Sequence, residues 1–189
     1  MRIISGIFKG KKILEPKDIK TRPLKDLTKE SIFNILNHSN KFHIKLENSN
    51  ILDLFSGVGS FGIECLSRGA QSVVFIENYQ NALSILKKNL ENLKLFEKYK
   101  ILEKDIYNLN TLSELNKKFE VIFLDPPYKD NKIKQLLINL KEAKVLNNNG
   151  IIILHRNKKD NLEFPEWVNI LEEKKYGISK IFFFNFKLQ

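Results

Sequence analysis

The sequence predicts an α/β fold: five parallel strands plus an antiparallel carboxyl-terminal hairpin, helices on both faces, and a small amino-terminal β-hairpin and helix. Three observations carry this expectation. From residue 50 onward, short apolar runs alternate with stretches whose apolar residues recur every three or four positions, the pattern of successive βαβ units. The first run ends in a glycine-rich turn, "LDLFSGVGSFGIECLSRGA" (residues 52–70). After "EFPEW" the helical pattern stops and two β-rich runs follow, parted by Tyr176-Gly177, which suits a hairpin at the edge of the sheet.

The opening "RIISGIFKGKKIL" reads as a hairpin. A loop then leads to a helix over residues 26–37, whose Ile32, Phe33, Ile35 and Leu36 make an apolar face that needs a cover. Strands are predicted at 50–55, 72–77, 99–105, 120–125 and 150–156, with helices at 60–68, 81–95, 110–117 and 133–143 between and beside them. The closing hairpin takes 168–174 and 181–186. No internal repeat or low-complexity linker divides the 189 residues. Residues 1–40 are therefore read as an extension of a main domain over 41–189, effectively one globular unit. A chain of this size buries roughly 70% of its unfolded surface and needs no disulfide or metal to fold.

Composition narrows the function classes. The net charge is +10, and residues 1–25 carry eight basic side chains (Arg2, Lys9, Lys11, Lys12, Lys17, Lys20, Arg22 and Lys25) against Glu15 and Asp18, which gives +6 of that total. A basic end favours a polyanionic partner through counterion release, while lysines that merely solvate the surface explain the same count. Nothing approaches the ~20 apolar residues of a membrane span, and the amino terminus lacks the pattern of a signal peptide. Cys65 is solitary and falls inside a predicted helix, so it reads as a small buried apolar residue in a reducing, cytoplasmic setting. His38, His43 and His155 are scattered, with no ligand spacing that would make a metal site.

The turn contains Gly57, Gly59 and Gly62 in a Gly-x-Gly-x-x-Gly pattern. In a dinucleotide site such a turn holds a pyrophosphate at a helix start. Here Asp53 lies four residues before the first glycine. A carboxylate there repels phosphate and attracts an amino group or a sulfonium, and S-adenosyl-L-methionine carries both. Glu77, twenty residues after Gly57, can accept from ribose hydroxyls, and Asp105 from an adenine amine, with Ile106 or Tyr107 against the ring. Any one of these acids is equally an ordinary turn or cap residue. Three of them at the carboxyl ends of successive strands outline an adenosine-shaped cleft.

The fourth predicted strand ends in Asp125-Pro126-Pro127-Tyr128. Two prolines fix two φ angles and cannot extend a ladder, so an acid and an aromatic ring sit on a stiff turn at the edge where such sheets bind ligands. The alternative is a plain strand-ending turn with an acid cap.

This tetrapeptide resembles the Asp/Asn/Ser-Pro-Pro-aromatic motif of class I S-adenosylmethionine-dependent methyltransferases that act on exocyclic amines. The resemblance implies a Rossmann-like class I methyltransferase sheet, S-adenosyl-L-methionine as donor and S-adenosyl-L-homocysteine as product. It makes Asp125 and a backbone carbonyl of the Pro126-Pro127 turn the acceptors of the amine's N–H bonds, with Tyr128 stacked on the base. More narrowly, the chain is similar to the RsmD family, bacterial 16S ribosomal RNA guanine-N2 methyltransferases. Six segments carry that similarity in order: "RIISGIFKGKKI", "TRPLKDLTKESIFNIL", "LDLFSGVGSFGIECLSRGA", "FIEN", "LDPPY" and "YGISKIFFF". The resemblance implies that Asp53, Phe55, Gly57 and Gly59 hold the methionine end, Glu77 with Asn78 the ribose, and Asp105 with Ile106 the adenine. It also implies that Thr21, Arg22 and Pro23 close over cofactor and base, and that Arg2, Lys9, Lys11, Lys12 and Arg22 track RNA phosphates. The implied partner is 16S rRNA in an assembled or partly assembled small subunit, met by a monomer. Leu24 and Leu27 stand where the family often has Thr and Arg, and Asn78-Tyr79 follow Glu77 where an acid is common. The rival expectations are an adenine-N6 methyltransferase on DNA or RNA, an RNA-binding protein without catalysis, and a nicotinamide oxidoreductase.

Overall fold

The computed structural model describes residues 1–16 and 24–187. Seven strands make one sheet: β1 (Asn50–Leu54), β2 (Ser72–Ile76), β3 (Tyr99–Leu102), β4 (Phe119–Leu124), β5 (Leu146–Asn157), β6 (Val168–Tyr176) and β7 (Ser179–Phe186). Their order is β3-β2-β1-β4-β5-β7-β6, with β1 to β5 parallel and β7 antiparallel to both of its neighbours. Helices α1 (Asp26–His38), α2 (Ser60–Ser67), α3 (Gln80–Glu91), α4 (Leu109–Ser113) and α5 (Ile133–Glu142) complete the chain.

Strand residues alternate between two apolar layers because successive side chains leave opposite faces. Ile51, Phe75, Phe123, Ile153 and Phe183 pack with α1, α2 and α3 on one side. Leu52, Ile76, Leu124, Leu154 and Phe184 pack with α4 and α5 on the other. Strands covered on both faces read as continuous apolar runs, which is why "NIL", "VIFL" and "IIIL" stand out in the sequence. The face predicted for α1 is the one buried: Ile32, Phe33 and Leu36 are enclosed, and the Phe33 ring stacks on Phe61 at 5.2 Å, which stacks on Phe123 at 4.1 Å.

The closing hairpin is the expected antiparallel pair at the edge of the sheet, and its second strand, β7, is the one that joins β5. Ile181 to Phe184 are thereby buried on both faces, whereas β6 is the outer edge and carries "EEKKY". Elsewhere the structure departs from expectation. The amino-terminal hairpin has a single antiparallel bridge, Arg2 with Lys12. Its next amides go to α2 instead of a ladder: Ile4 N and Ser5 N donate to the Glu64 carboxylate at 2.8 and 2.9 Å, and Phe8 N to Ser67 Oγ at 3.0 Å. Lys29 of α1 joins this cluster fully buried, with Nζ donating to Arg2 O at 2.8 Å and lying 3.6 Å from Glu64 Oε2. Burial pulls the Lys29 ammonium below its usual range, and Glu64 and Asp26 oppose that shift. Strand β3 stops at Leu102, so Asp105 does not close it; Asp105 Oδ1 accepts from Tyr107 N at 2.9 Å and starts a turn toward α4. Helices α3 and α4 end at Glu91 and Ser113, short of residues 95 and 117.

Candidate active site

Parallel pairing of β1 with β4 aligns Leu54 with Leu124, so the glycine turn and the Asp125 loop leave adjacent strands at the same edge. Adjacent strands lie about 4.8 Å apart. The two motifs, about seventy residues apart in sequence, therefore border one site.

The turn after β1 is shaped by left-handed backbone at Phe55 (φ 58°), Gly57 (φ 55°) and Gly59 (φ 85°). The last two positions use glycine differently. A Cβ on Gly57 would meet nothing within 4 Å, so this is where a ligand can approach the backbone. One on Gly59 would fall 2.4 Å from Leu86 Cδ1 of α3, and that glycine serves packing.

The acids of this region are largely engaged inside it. Asp53 is 1% exposed and its Oδ2 accepts from Gly62 N at 2.9 Å, so it supports the turn from beneath. Burial pushes the Asp53 carboxyl well up; the Gly62 amide opposes the shift, and the nearby Asp125 and Glu77 add to it. Ser56 Oγ donates to Asp53 O at 2.6 Å and accepts from Ile76 N at 3.0 Å, which sews the turn to β2. Glu77, one residue past β2, accepts from Gly57 N at 2.7 Å through Oε2 and from Asn78 N and Tyr79 N at 2.9 Å through Oε1. Glu77 remains half-buried and Asn78 exposed. Asp105 is exposed and Ile106 buried beside it. The Phe55 and Tyr107 rings lie 5.9 Å apart, and the Tyr107 hydroxyl donates to Asp130. Burial, with Asp130, holds the Tyr107 phenol above its usual range.

On the other side, Asp125 Oδ1 lies 2.8 Å from His155 Nδ1, and its carboxylate is 20% exposed. Tyr128 sets its ring edge-on to His155, with centroids 6.1 Å apart. Arg156 reaches the same loop and donates to the carbonyls of Pro127 and Tyr128 at 2.9 and 2.8 Å. Sequence reasoning passed over His155, Arg156 and Ser179. Two of them follow directly on "IIIL", and the β4–β5 register, which aligns Leu124 with Leu154, is what brings them to Asp125.

The predicted RNA contacts are placed unevenly. Arg2, Lys9, Lys11 and Lys12 are all exposed. The base of their hairpin sits by the glycine turn, where Leu14 N donates to Asn89 Oδ1 at 2.8 Å and Asn89 donates to Val58 O at 3.1 Å. Its tip sits at the far end of α2, with Ile7 N on Ser67 O at 2.8 Å, one helix length or about 12 Å along α2 from the turn. Thr21, Arg22 and Pro23, with Lys17 and Lys20, lie outside the described residues. Cys65 is fully buried and its thiol is raised by that burial, the behaviour of a packing residue. No helix of the described residues is long and apolar enough to cross a membrane.

The family model described as conserved hypothetical protein 95 matches residues 1–185. The chain belongs to that family. Among curated proteins similar to this member, a Bacillus subtilis protein provisionally named an rRNA methyltransferase, YlbH, is 34% identical over 185 residues, covering 96% of each chain. The ribosomal RNA small subunit methyltransferase D of Haemophilus influenzae is 34% identical over 183 residues, 94% of this chain and 90% of that one. Among solved structures, the Haemophilus influenzae protein HI0767, provisionally titled a methylase, superposes with a TM-score of 0.76 at 32% identity over 99% of this chain and 98% of that one. The RsmD-like character read from six sequence segments thus extends over nearly the whole family member.

Proposed function

We propose that the protein transfers the methyl group of S-adenosyl-L-methionine to the exocyclic N2 of a guanine in small-subunit (16S) ribosomal RNA. One observation carries this reading: Asp125-Pro126-Pro127-Tyr128 stands at the same sheet edge as the glycine turn, with an Asp125 oxygen that accepts from no described residue. The names of the family's rRNA-methylating relatives support the substrate class.

The residues around the turn suit the donor. Gly57 faces open space, Glu77 just past β2 is half-buried, and Asp105, in the turn three residues beyond β3, is exposed. Phe55, Gly57 and Gly59 would border the methionine end, with Asp53 beneath; Glu77 and Asn78 would take the ribose, Asp105 and Ile106 the adenine, and Thr21 would close from outside. When bound, S-adenosyl-L-methionine supplies a methyl on a sulfonium, an electrophile strong enough for a weak nucleophile. A guanine amine is weak because its lone pair is delocalised into the ring. The Asp125 carboxylate and a backbone carbonyl of the Pro126-Pro127 turn accept its two N–H bonds, draw the nitrogen toward tetrahedral geometry and place negative charge where the amine becomes cationic. The amine's proton leaves after transfer, so Asp125 need not be a strong base. Tyr128 stacks on the unpaired base, while Arg2, Lys9, Lys11, Lys12 and Arg22 hold phosphates without reading sequence. On this reading the enzyme acts in the cytoplasm as a monomer on an assembled or partly assembled small subunit.

The test is transfer of labelled methyl to small subunits from cells lacking the enzyme, followed by nucleoside analysis. Label is expected in N2-methylguanosine. Label in N6-methyladenosine would overturn the target base, and no label in either would overturn the reaction.

A further inference from the structure

His155 and Arg156 are consecutive on β5, so they leave opposite faces of the sheet, yet both end on the loop of residues 125–130. Both are almost wholly buried, at 6% and 5% exposure. His155 Nδ1 lies 2.8 Å from Asp125 Oδ1, and Nε2 lies 2.8 Å from Ser179 Oγ. With Asp125 ionised, the consistent assignment has Nδ1–H donating to the carboxylate and the Ser179 hydroxyl donating to Nε2. Arg156 donates through Nη1 to Pro127 O at 2.9 Å, and through Nη2 to Tyr128 O at 2.8 Å and Asp130 O at 3.2 Å. Its Nε lies 2.8 Å from Asp160 Oδ2 as an ion pair rather than an aligned hydrogen bond. Pro127 O also accepts from Asp130 N at 2.8 Å.

These contacts narrow the acceptors. One Asp125 oxygen and the carbonyls of Pro127 and Tyr128 face buried donors of β5. Among the described residues, the second carboxylate oxygen of Asp125 and the carbonyl of Pro126 accept from no donor. An exocyclic amine carries two N–H bonds and needs two acceptors. The carboxylate is 20% exposed against 8% for the imidazole, so the acid rather than the ring is the member of the pair that a substrate can reach.

We propose that His155 and Arg156 are positioning residues for methyl transfer: together they lock the Asp125 loop so that one side-chain oxygen and one backbone oxygen are left for the target amine. The proposal rests on the assignment of Asp125 made above. A guanidinium suits this task because its planar fork can bind several carbonyls at once, which a lysine ammonium does not match.

The experiment compares variants of the full chain on unmethylated small subunits, with S-adenosyl-L-methionine affinity measured by calorimetry and folding by thermal melting. His155→Phe keeps a ring but loses both nitrogens; its kcat is expected to fall about a hundredfold, since a small misplacement of a reacting group has that effect. Cofactor affinity stays at the wild-type value. His155→Asn retains an N–H near the position of Nδ1 and is expected to recover to within about tenfold of wild type. Arg156→Lys keeps the charge and loses the fork, and a drop of about tenfold in kcat is expected. Combined with Asp125→Ala, His155→Phe should lower the rate no further, because both changes remove one function. Wild-type kcat in His155→Phe or Arg156→Lys, an Asn variant as slow as the Phe variant, or a double variant slower by the full Phe factor would overturn the positioning role. A wild-type rate in Asp125→Ala alone would instead overturn the site assignment beneath it, so the two failures are distinguishable.

Discussion

The loop after β1 and the loop after β4 leave neighbouring strands side by side, yet they use their polar groups in opposite ways. In the first, Asp53 accepts from Gly62, Glu77 from Gly57, Asn78 and Tyr79, and Ser56 bridges two strands. Those acids hold a strained backbone in shape and leave one open approach at Gly57. In the second, His155 and Arg156 of β5 hold the loop from outside, and among the described residues one oxygen of Asp125 accepts from no donor. An acid at a strand end thus has two meanings. The difference lies in which donors surround it.

The contrast predicts the largest effect at the outward-facing acid. Asp125→Ala should slow methyl transfer by roughly 10² to 10³, the loss expected when a preorganised electrostatic partner of the transition state is removed. Cofactor affinity and melting temperature should stay near wild type. A variant that loses cofactor binding in proportion to rate would place Asp125 in the first region's class, and the contrast would break.

The glycines sharpen the comparison within the first loop. Gly59→Ala drives a methyl to 2.4 Å from Leu86 Cδ1 at a left-handed φ of 85°. It should cost about 2–4 kcal/mol of folding stability in urea titration. Gly57→Ala meets open space and should cost about 1–2 kcal/mol, from backbone alone, while weakening cofactor affinity measured by calorimetry. Equal stability losses would mean that the two glycines do the same job.

The smallest effect concerns the buried acid. Burial raises the Asp53 carboxyl above its ordinary value, so the folded chain binds this proton more tightly than the unfolded chain does. The stability this contributes is present at low pH and lost as pH rises from about 4 through the folded-state pKa. Asp53→Asn keeps an oxygen for the Gly62 amide and removes the charge. Its stability relative to wild type should therefore improve between pH 5 and pH 8 in denaturant titrations. A relative stability that does not change with pH would mean that Asp53 is not held in an apolar setting.

Much of the site was readable before any coordinates. The alternation of runs located both loops, and Asp125-Pro126-Pro127-Tyr128 needed no partner to be noticed, because two prolines announce a rigid turn by themselves. The burial of Ile32, Phe33 and Leu36 followed from helical spacing alone. Other features were invisible for definite reasons. Gly57 and Gly59 look alike in a Gly-x-Gly pattern, and only the position of Leu86 on α3 separates a ligand approach from a packing constraint. The hairpin amides near Ser5 looked free to form a ladder until α2 brought Glu64 and Ser67 against them. His155 read as one of three scattered histidines.

The sequence by itself determined the periodic elements, the two loop chemistries and the basic amino-terminal end, because each is written in residues close together along the chain. Tertiary structure alone decided that β7 lies inside β6, that His155 meets Asp125 and Ser179, and that Arg156 spans three carbonyls of a loop some thirty residues upstream. The physical reason is that hydrogen-bond donors and acceptors are allotted between segments only once burial has fixed which strands are neighbours. The lone pairs left over, on which the chemistry depends, are what that allotment does not use.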